Sequence, residues 1–243
     1  MHTQSPSFAT LTARAWPGPH VRELDGWLLR SAGGVSNRAN SVVPLRAPAD
    51  LAEAIVEVER HYRRLGQASV FQVGPDSEPA GLDEVLAARG YRVVTPTLVQ
   101  QVVIAEALAR LPEPSGVLVT GEPTEAWLDL HWQESGRTTA ATRFITQQIL
   151  TGVPAGYADL GGQAIARGAL VEDWVGLYSM YCRPECRRRG LARTVLAGLL
   201  RWAADRGATR AFLQVVESNE GARRLYAGAG FTDATRYHYR VLD

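Results

Sequence analysis

The stretch that most constrains how this chain can fold is Met180-Tyr181-Cys182-Arg183-Pro184-Glu185-Cys186-Arg187-Arg188-Arg189-Gly190-Leu191-Ala192-Arg193. Residues 175–182 are apolar and read as a strand that stops at Pro184, whose nitrogen has no hydrogen to donate to a ladder. A basic turn with one glycine follows, and the periodic apolar run 194–204 then predicts a helix. A strand feeding a helix through such a turn is a natural anion site. The first-turn N–H groups of a helix have no acceptor inside it, and the aligned peptide dipoles add partial positive charge there. Gly190 removes the side chain where a phosphate has to approach the backbone, and Ala192 keeps the next position small. The ligand implied is a pyrophosphate.

A second segment lies downstream: Asn219-Glu220-Gly221-Ala222-Arg223-Arg224-Leu225-Tyr226, with Gly230-Phe231 beyond it. The spacing Arg187-x-x-Gly190-x-Ala192 resembles the R/Q-x-x-G-x-G/A signature of the GNAT superfamily of acyl-CoA N-acyltransferases. The downstream segment resembles the N-x-x-A-x-x-L-Y-x-x-x-G-F segment of the same family, and the match runs from about Gly116 to Asp243. It implies an α+β fold with a twisted, mostly antiparallel sheet flanked by helices, and acetyl-CoA as the acyl-donor substrate.

The chain has 243 residues, long for one compact unit and comfortable for two. Net charge is +1, so no global field draws it to nucleic acid or anionic lipid, and any positive field is local, as at residues 187–193. Residues 1–7 lack the basic flank and apolar core of a targeting segment, and no apolar stretch is long enough to span a membrane; a cytoplasmic protein is expected. The two cysteines, Cys182 and Cys186, have no second pair or nearby histidine to complete a metal site, and reduced thiols are expected.

In chain order, residues 24–30 and 41–45 read as two strands joined by a turn-rich connection. Asp50 caps a helix whose stripe is Leu51, Ile55, Val58, Tyr62 and Leu65. A strand at 69–73, a helix at 81–89 and strand material over 91–104, interrupted at Pro96, complete a first half. Its segment 82–91 aligns without gaps on 222–231, each a helix ending in glycine and an aromatic, which points to an internal repeat. Leu86 stands where Tyr226 stands, and 43–51 contains no glycine-and-arginine turn. Residues 1–108 are therefore expected to be a degenerate GNAT-like domain, 109–115 a proline-bearing linker and 116–243 the catalytic domain. In the latter, strands at 116–121, 157–160, 163–171, 174–182, 211–216 and 235–242 and helices at 125–134, 138–150, 194–204 and 220–229 follow the GNAT order.

Acetyl transfer from a thioester to an amine needs an oriented carbonyl, a donor for its developing oxyanion, a free amine and a proton for the departing thiolate. The resemblance implies that backbone groups of Met180, Tyr181 and Cys182 contact the pantetheine arm as a neighbouring strand would. It assigns the pyrophosphate to the turn and helix start, Arg187, Arg188, Arg189, Gly190, Leu191, Ala192 and Arg193. Asn219 is a helix cap and, by resemblance, a second pantetheine contact. Tyr226, seven positions later and close to two helical turns on, is the candidate acid.

No base is assigned. The positions where family members carry a glutamate hold Gly176 and Gln214, and Glu172, Asp173 and Glu217 fall in turns. The acceptor is expected to be a primary amine on a small molecule or peptide, received by residues 127–142 and by the face of the N-terminal half, with His131, Trp132 and Arg143 as candidate lining. The missing base motivates an alternative, a non-catalytic acyl-CoA sensor or interaction module.

Overall fold

A computed structural model describes residues 7–243. Residues 1–6, on which the expectation of no targeting segment mostly rests, lie outside the described residues. No helix among the described residues is long and apolar enough to cross a membrane. The chain forms two compact units. The first comprises the chain to Leu98 with Phe144–Gly152 and Thr235–Asp243; the second comprises Val99–Arg143 and Val153–Ala234.

In the first unit, α1 (Phe8–Ala15), β1 (His20–Leu24), β2 (Trp27–Ser31), β3 (Val42–Pro44), α2 (Leu51–Arg64), β4 (Ser69–Val73), α3 (Leu82–Ala88) and the first part of β5 (Arg92–Val103) follow in order. The span 24–30, expected as one strand, is broken by a two-residue hairpin. Asp25 and Gly26 take φ of 45° and 88°, and Leu24 pairs with Trp27. Both central residues at positive φ match the right-handed twist of the strands, which is why Asp-Gly suits this turn. β1 gave no apolar alternation to find, because its residues are exposed or half-buried. β5 continues through Pro96 rather than breaking there, and a short helix, α4 (Ile104–Leu108), follows directly.

The cap of α2 forms as expected, and so does its stripe except at Leu65, which follows the helix as its C-cap and is 45% exposed. Asp50 Oδ1 accepts from the Glu53 amide at 3.0 Å, and Ile55, Val58 and Tyr62 are buried. They join a core in which Trp27, Phe71 and Tyr91 stack edge to face, with centroids 5.4 and 5.6 Å apart. The strand order is β1-β2-β3-β4 followed by β11 (Thr232–Leu242). β3 and β4 are parallel, and β11 runs antiparallel to β4 from His238↔Val73 to Leu242↔Ser69. A charged clip holds β11 to α3. Asp83 accepts from Arg240 Nε at 2.7 Å and Nη2 at 3.0 Å, and His238 Nε2 lies 2.8 Å from the same carboxylate.

The second unit contains β6 (Leu118–Thr120), α5 (Glu125–Ser135), the start of α6 (Ala140–Thr151), β7 (Ala155–Asp159), β8 (Ala164–Val171), β9 (Trp174–Cys182), α7 (Leu191–Ala204), β10 (Arg210–Val216) and α8 (Glu220–Gly228). Strands β6 to β9 are antiparallel neighbours, β10 is parallel to β9, and β5 lies beyond β10. The hairpins turn where glycine and acid were expected, with Gly161 and Gly162 at φ 56° and 68° and Glu172 at 56°.

Each unit thus contains a run of antiparallel strands, three in the first and four in the second, then a helix, a parallel strand and a second helix. The second helices end alike. In α3 the amides of Gly90 and Tyr91 donate to Ala87 and Leu86 carbonyls, and in α8 those of Gly230 and Phe231 donate to Ala227 and Tyr226, all at 3.0 Å. Gly90 and Gly230 sit at φ 87° and 93°, the left-handed cap that favours glycine. The strand beyond the parallel one comes from the other half of the sequence, β11 on β4 and β5 on β10. The compact units therefore do not divide at the 109–115 linker. Long-range pairing, rather than chain order, decides which strand belongs where.

Candidate active site

β9 is irregular where it matters. On β8, Ile165 and Arg167 pair with Tyr181 and Tyr178, so β9 carries one extra residue between them. Ser179 in this bulge takes φ 51°. The parallel pairing of β9 with β10 spans only Trp174–Leu177 against Arg210–Leu213. The pairing with β10 ends at Leu177; beyond it Tyr181 and Cys182 pair with Ile165 and Ala164 of β8, and Met180, Tyr181 and Cys182 line a cleft.

The chain then makes one 3₁₀ turn, Pro184–Cys186, and the loop enters α7 through Arg188 at φ 60° and Gly190 at 82°. Gly190 is the helix N-cap and supplies no side-chain acceptor; its carbonyl receives the amides of Arg193 and Thr194. Among the described residues nothing accepts from the amides of Arg189, Gly190, Leu191 and Ala192. A Cβ at Gly190 would meet no protein atom within 4 Å, so the space in front of these donors is open.

The arginines of this stretch divide by task. Arg183 Nε donates to the Gly162 carbonyl at 2.7 Å, tying the strand end to the β7–β8 turn. Arg187 Nε reaches back to the Cys182 carbonyl at 3.2 Å, Arg189 Nη1 lies 3.5 Å from Gln163 Oε1, and Arg193 Nη2 donates to the Arg110 carbonyl. Arg188 has no protein partner among the described residues.

A cleft of about 940 Å³ joins these parts. It is lined by Met180, Tyr181, Cys182, Arg187, Arg188, Gly190, Leu191, Ala192 and Arg193, and across from them by Asn219 and Tyr226. Every residue expected at the site is in this lining except Arg189, which is turned toward Gln163. Asn219 caps α8, its Oδ1 accepting from the Ala222 amide at 3.1 Å. Tyr226 is 8% exposed and stands edge to face on Phe231, centroids 5.7 Å apart. It is thus both a packed aromatic and part of the cleft wall. The Cys182 thiol, with the buried Cys186 nearby, is pushed up chiefly by burial, while Arg187 and Arg189 pull it back. No group of three or more His, Cys, Asp or Glu among the described residues is placed to hold a metal ion.

Six lining residues were not expected at the site: Glu134, Cys186, Gly221, Ala222, Arg224 and Leu225. Glu134 is the one carboxylate of the lining. It is exposed near the end of α5 and is not among that helix's buried residues, so no local pattern singles it out. The candidates His131 and Trp132 are instead core. His131 is 4% exposed, stacked on Trp127 with centroids 5.3 Å apart, and stays neutral with a pKa lowered to about 4 by burial and by Arg137 and Arg167. Arg143 lies over the Trp132 ring at 5.7 Å and donates to the Arg137 carbonyl. Glu172, Asp173 and Glu217 do not line the cleft.

Comparison with known proteins shows the chain's family. The family model described as "Probable histone acetyltransferase Rv0428c C-terminal" matches residues 8–240. The chain is 29% identical over 241 residues to "Uncharacterized N-acetyltransferase YobR" of Bacillus subtilis (strain 168), covering 95% of this chain and 96% of that protein. It is 31% identical over 215 residues to "Probable histone acetyltransferase Rv0428c" of Mycobacterium tuberculosis, covering 84% of this chain and 63% of that longer protein. Among solved structures, "GCN5-related N-acetyltransferase from Kribbella flavida" superposes with a TM-score of 0.66 at 18% identity, covering 96% of this chain and 94% of its own.

Proposed function

Because the chain belongs to the family of the Rv0428c C-terminal acetyltransferase domain and is an N-acetyltransferase of the GNAT superfamily, we propose that its second unit transfers the acetyl group of acetyl-CoA to a primary amine of a small molecule or peptide. The observation that carries this reading is the run of unpaired amides from Arg189 to Ala192, facing open space in the cleft that also contains Tyr226 and the end of β9. Those amides, with the positive end of α7 and the Arg188 guanidinium, suit a pyrophosphate. The backbone at Met180–Cys182, past the pairing with β10, suits the amide-bearing pantetheine arm, which can pair with it as a strand does.

Tyr226 supplies the proton that the CoA thiolate takes as the carbon–sulfur bond breaks and the amine nitrogen bonds to the acetyl carbon. The amine gives up its own proton to water or to Glu134, whose charge also favours a cationic acceptor at the cleft. His131 is a poor partner for that step, because burial keeps it neutral and weakly basic. The two free thiols suit a reducing compartment such as the cytoplasm.

The first unit reads as a degenerate half of a tandem pair. Its element order and its helix ending match those of the second unit, but Asp50 fills the helix start with its own carboxylate, and Leu86 replaces the candidate acid. A phosphate at α2 would meet a negative charge and an amide already taken. Incubating the protein with acetyl-CoA and a panel of amines, and following release of the CoA thiol, tests the activity. Turnover with at least one primary amine is expected, and CoA binding without turnover for any amine would leave a binding module instead.

A further inference from the structure

The first unit carries a second, partly open pocket, of about 190 Å³, that the acetyl-transfer reading leaves without a role. Its walls come from three segments: Asn37 and Arg38 of the β2–β3 loop, Thr95 and Thr97 of β5, and Tyr237 and Tyr239 of β11. Ser36 completes it, and no lining residue is acidic. A cavity walled by hydroxyls, an amide and a guanidinium offers donors and positive charge, the complement of an oxyanion.

The walls are fixed in advance of any ligand. Asn40 Oδ1 accepts from the amides of Ala32 and Gly34 at 2.9 and 3.1 Å, and the Ser41 hydroxyl donates to the Asn37 carbonyl at 2.8 Å, so the loop bearing Arg38 is braced across its neck. Behind it Arg30, 2% exposed, donates to the Ser41 hydroxyl at 2.8 Å, the Ser41 carbonyl at 3.2 Å and Gln72 Oε1 at 3.2 Å. On β5, Thr95 stands at φ 52°, and the Thr97 hydroxyl donates to its carbonyl at 2.9 Å. Tyr237 and Tyr239 share one hydrogen bond at 3.4 Å. Burial, aided by Tyr237, raises the Tyr239 phenol well above its usual range against the pull of Arg38 and Arg30, so it remains a donor at neutral pH.

We propose that the first unit binds a small oxyanion, a phosphate or carboxylate group, in the pocket between the β2–β3 loop, β5 and β11. The volume is below the 300 Å³ or so at which pockets take drug-sized ligands, so an ion or the acidic end of a small metabolite fits and a nucleotide does not. The inference is independent of the acetyl-transfer reading, since binding needs no turnover.

Calorimetric titration of the full-length protein with sodium phosphate and with sodium acetate, against sodium chloride at matched ionic strength, tests it. The Gly190→Glu variant serves as the parent, so that anions entering the cleft of the second unit do not contribute. A saturable event is expected in that parent, weakened at least about tenfold by Arg38→Gln, as loss of a charge-assisted contact requires, and weakened also by Tyr237→Phe. The stronger of the two salts identifies phosphate or carboxylate as the source. Circular dichroism confirms that each variant is folded; if Arg38→Gln does not fold, Tyr237→Phe alone decides. The proposal is overturned if the Gly190→Glu parent shows no saturable heat with either salt, or if the heat is unchanged by the substitutions that fold.

Discussion

Replacing Asp83 by asparagine tests how the last strand of the chain is held in the first unit. Asp83 on α3 receives both arms of Arg240 and lies against His238, two residues of β11. The Arg240 hydrogen bond is the largest cause holding its carboxyl at about 2, against 3.8 for a free aspartate, with His238 adding to it and burial opposing. The shift, 3.8 − 2, is about 1.8 units, or about 2.4 kcal/mol at 1.36 kcal/mol per unit. Because the side chain is 34% exposed, solvent screening reduces this to roughly 1 kcal/mol.

The sign follows from a folded pKa below the unfolded one. The stabilisation is complete above about pH 4 and is lost as pH falls through 2, with about half of it gone near pH 3. Urea denaturation of the two proteins is expected to show Asp83→Asn less stable by about 1 kcal/mol at pH 7, or 2–4 °C in thermal midpoint. The gap should narrow between pH 4 and pH 3. A gap that is absent at pH 7, or constant down to pH 3, refutes the assignment of that stability to the clip.

Tyr226→Phe is expected to lower kcat by 10- to 100-fold, one to three kcal/mol of barrier, while CoA affinity in an equilibrium titration stays nearly unchanged; an unaltered kcat returns Tyr226 to a packing role. Glu134→Gln should raise KM for a cationic amine more than for a neutral analogue in steady-state assays, and equal effects on both would remove Glu134 from acceptor recognition. In the second unit a Cβ at Gly156 would lie 2.7 Å from the Trp202 ring. Gly156→Ala should therefore cost about 1–3 kcal/mol in urea unfolding, as overpacking does, and no loss would mean that the ring can give way.

Much of the site was legible because its parts are local. Pro184 ends the strand, Gly190 allows the left-handed entry to α7, and Asn219 caps α8, each a short-range effect of one residue type. The α2 stripe and the paired helix endings at Gly90 and Gly230 were readable for the same reason. What stayed hidden depends on distance. Nothing near Thr232 or Arg92 says that β11 lies on β4 or β5 on β10, because that choice is made by strand edges far apart in sequence. The extra residue at Ser179 arises from pairing with β8, and β1 escaped because a strand exposed along most of its length shows no alternation. Glu134 joins the cleft through the placement of α5, which no local pattern fixes.

In the function proposed above, the amides opening α7 hold the pyrophosphate of CoA. Equilibrium binding of acetyl-CoA to the wild type, Gly190→Ala and Gly190→Glu tests it most directly. The alanine variant carries the same strain at φ 82° without the charge, and so separates conformation from repulsion. Saturable binding to the wild type, weakened by at least an order of magnitude more in the glutamate than in the alanine variant, is expected, because a carboxylate would then face the phosphates. No binding to the wild type, or equal affinity in the glutamate and alanine variants, would contradict that role for the amides.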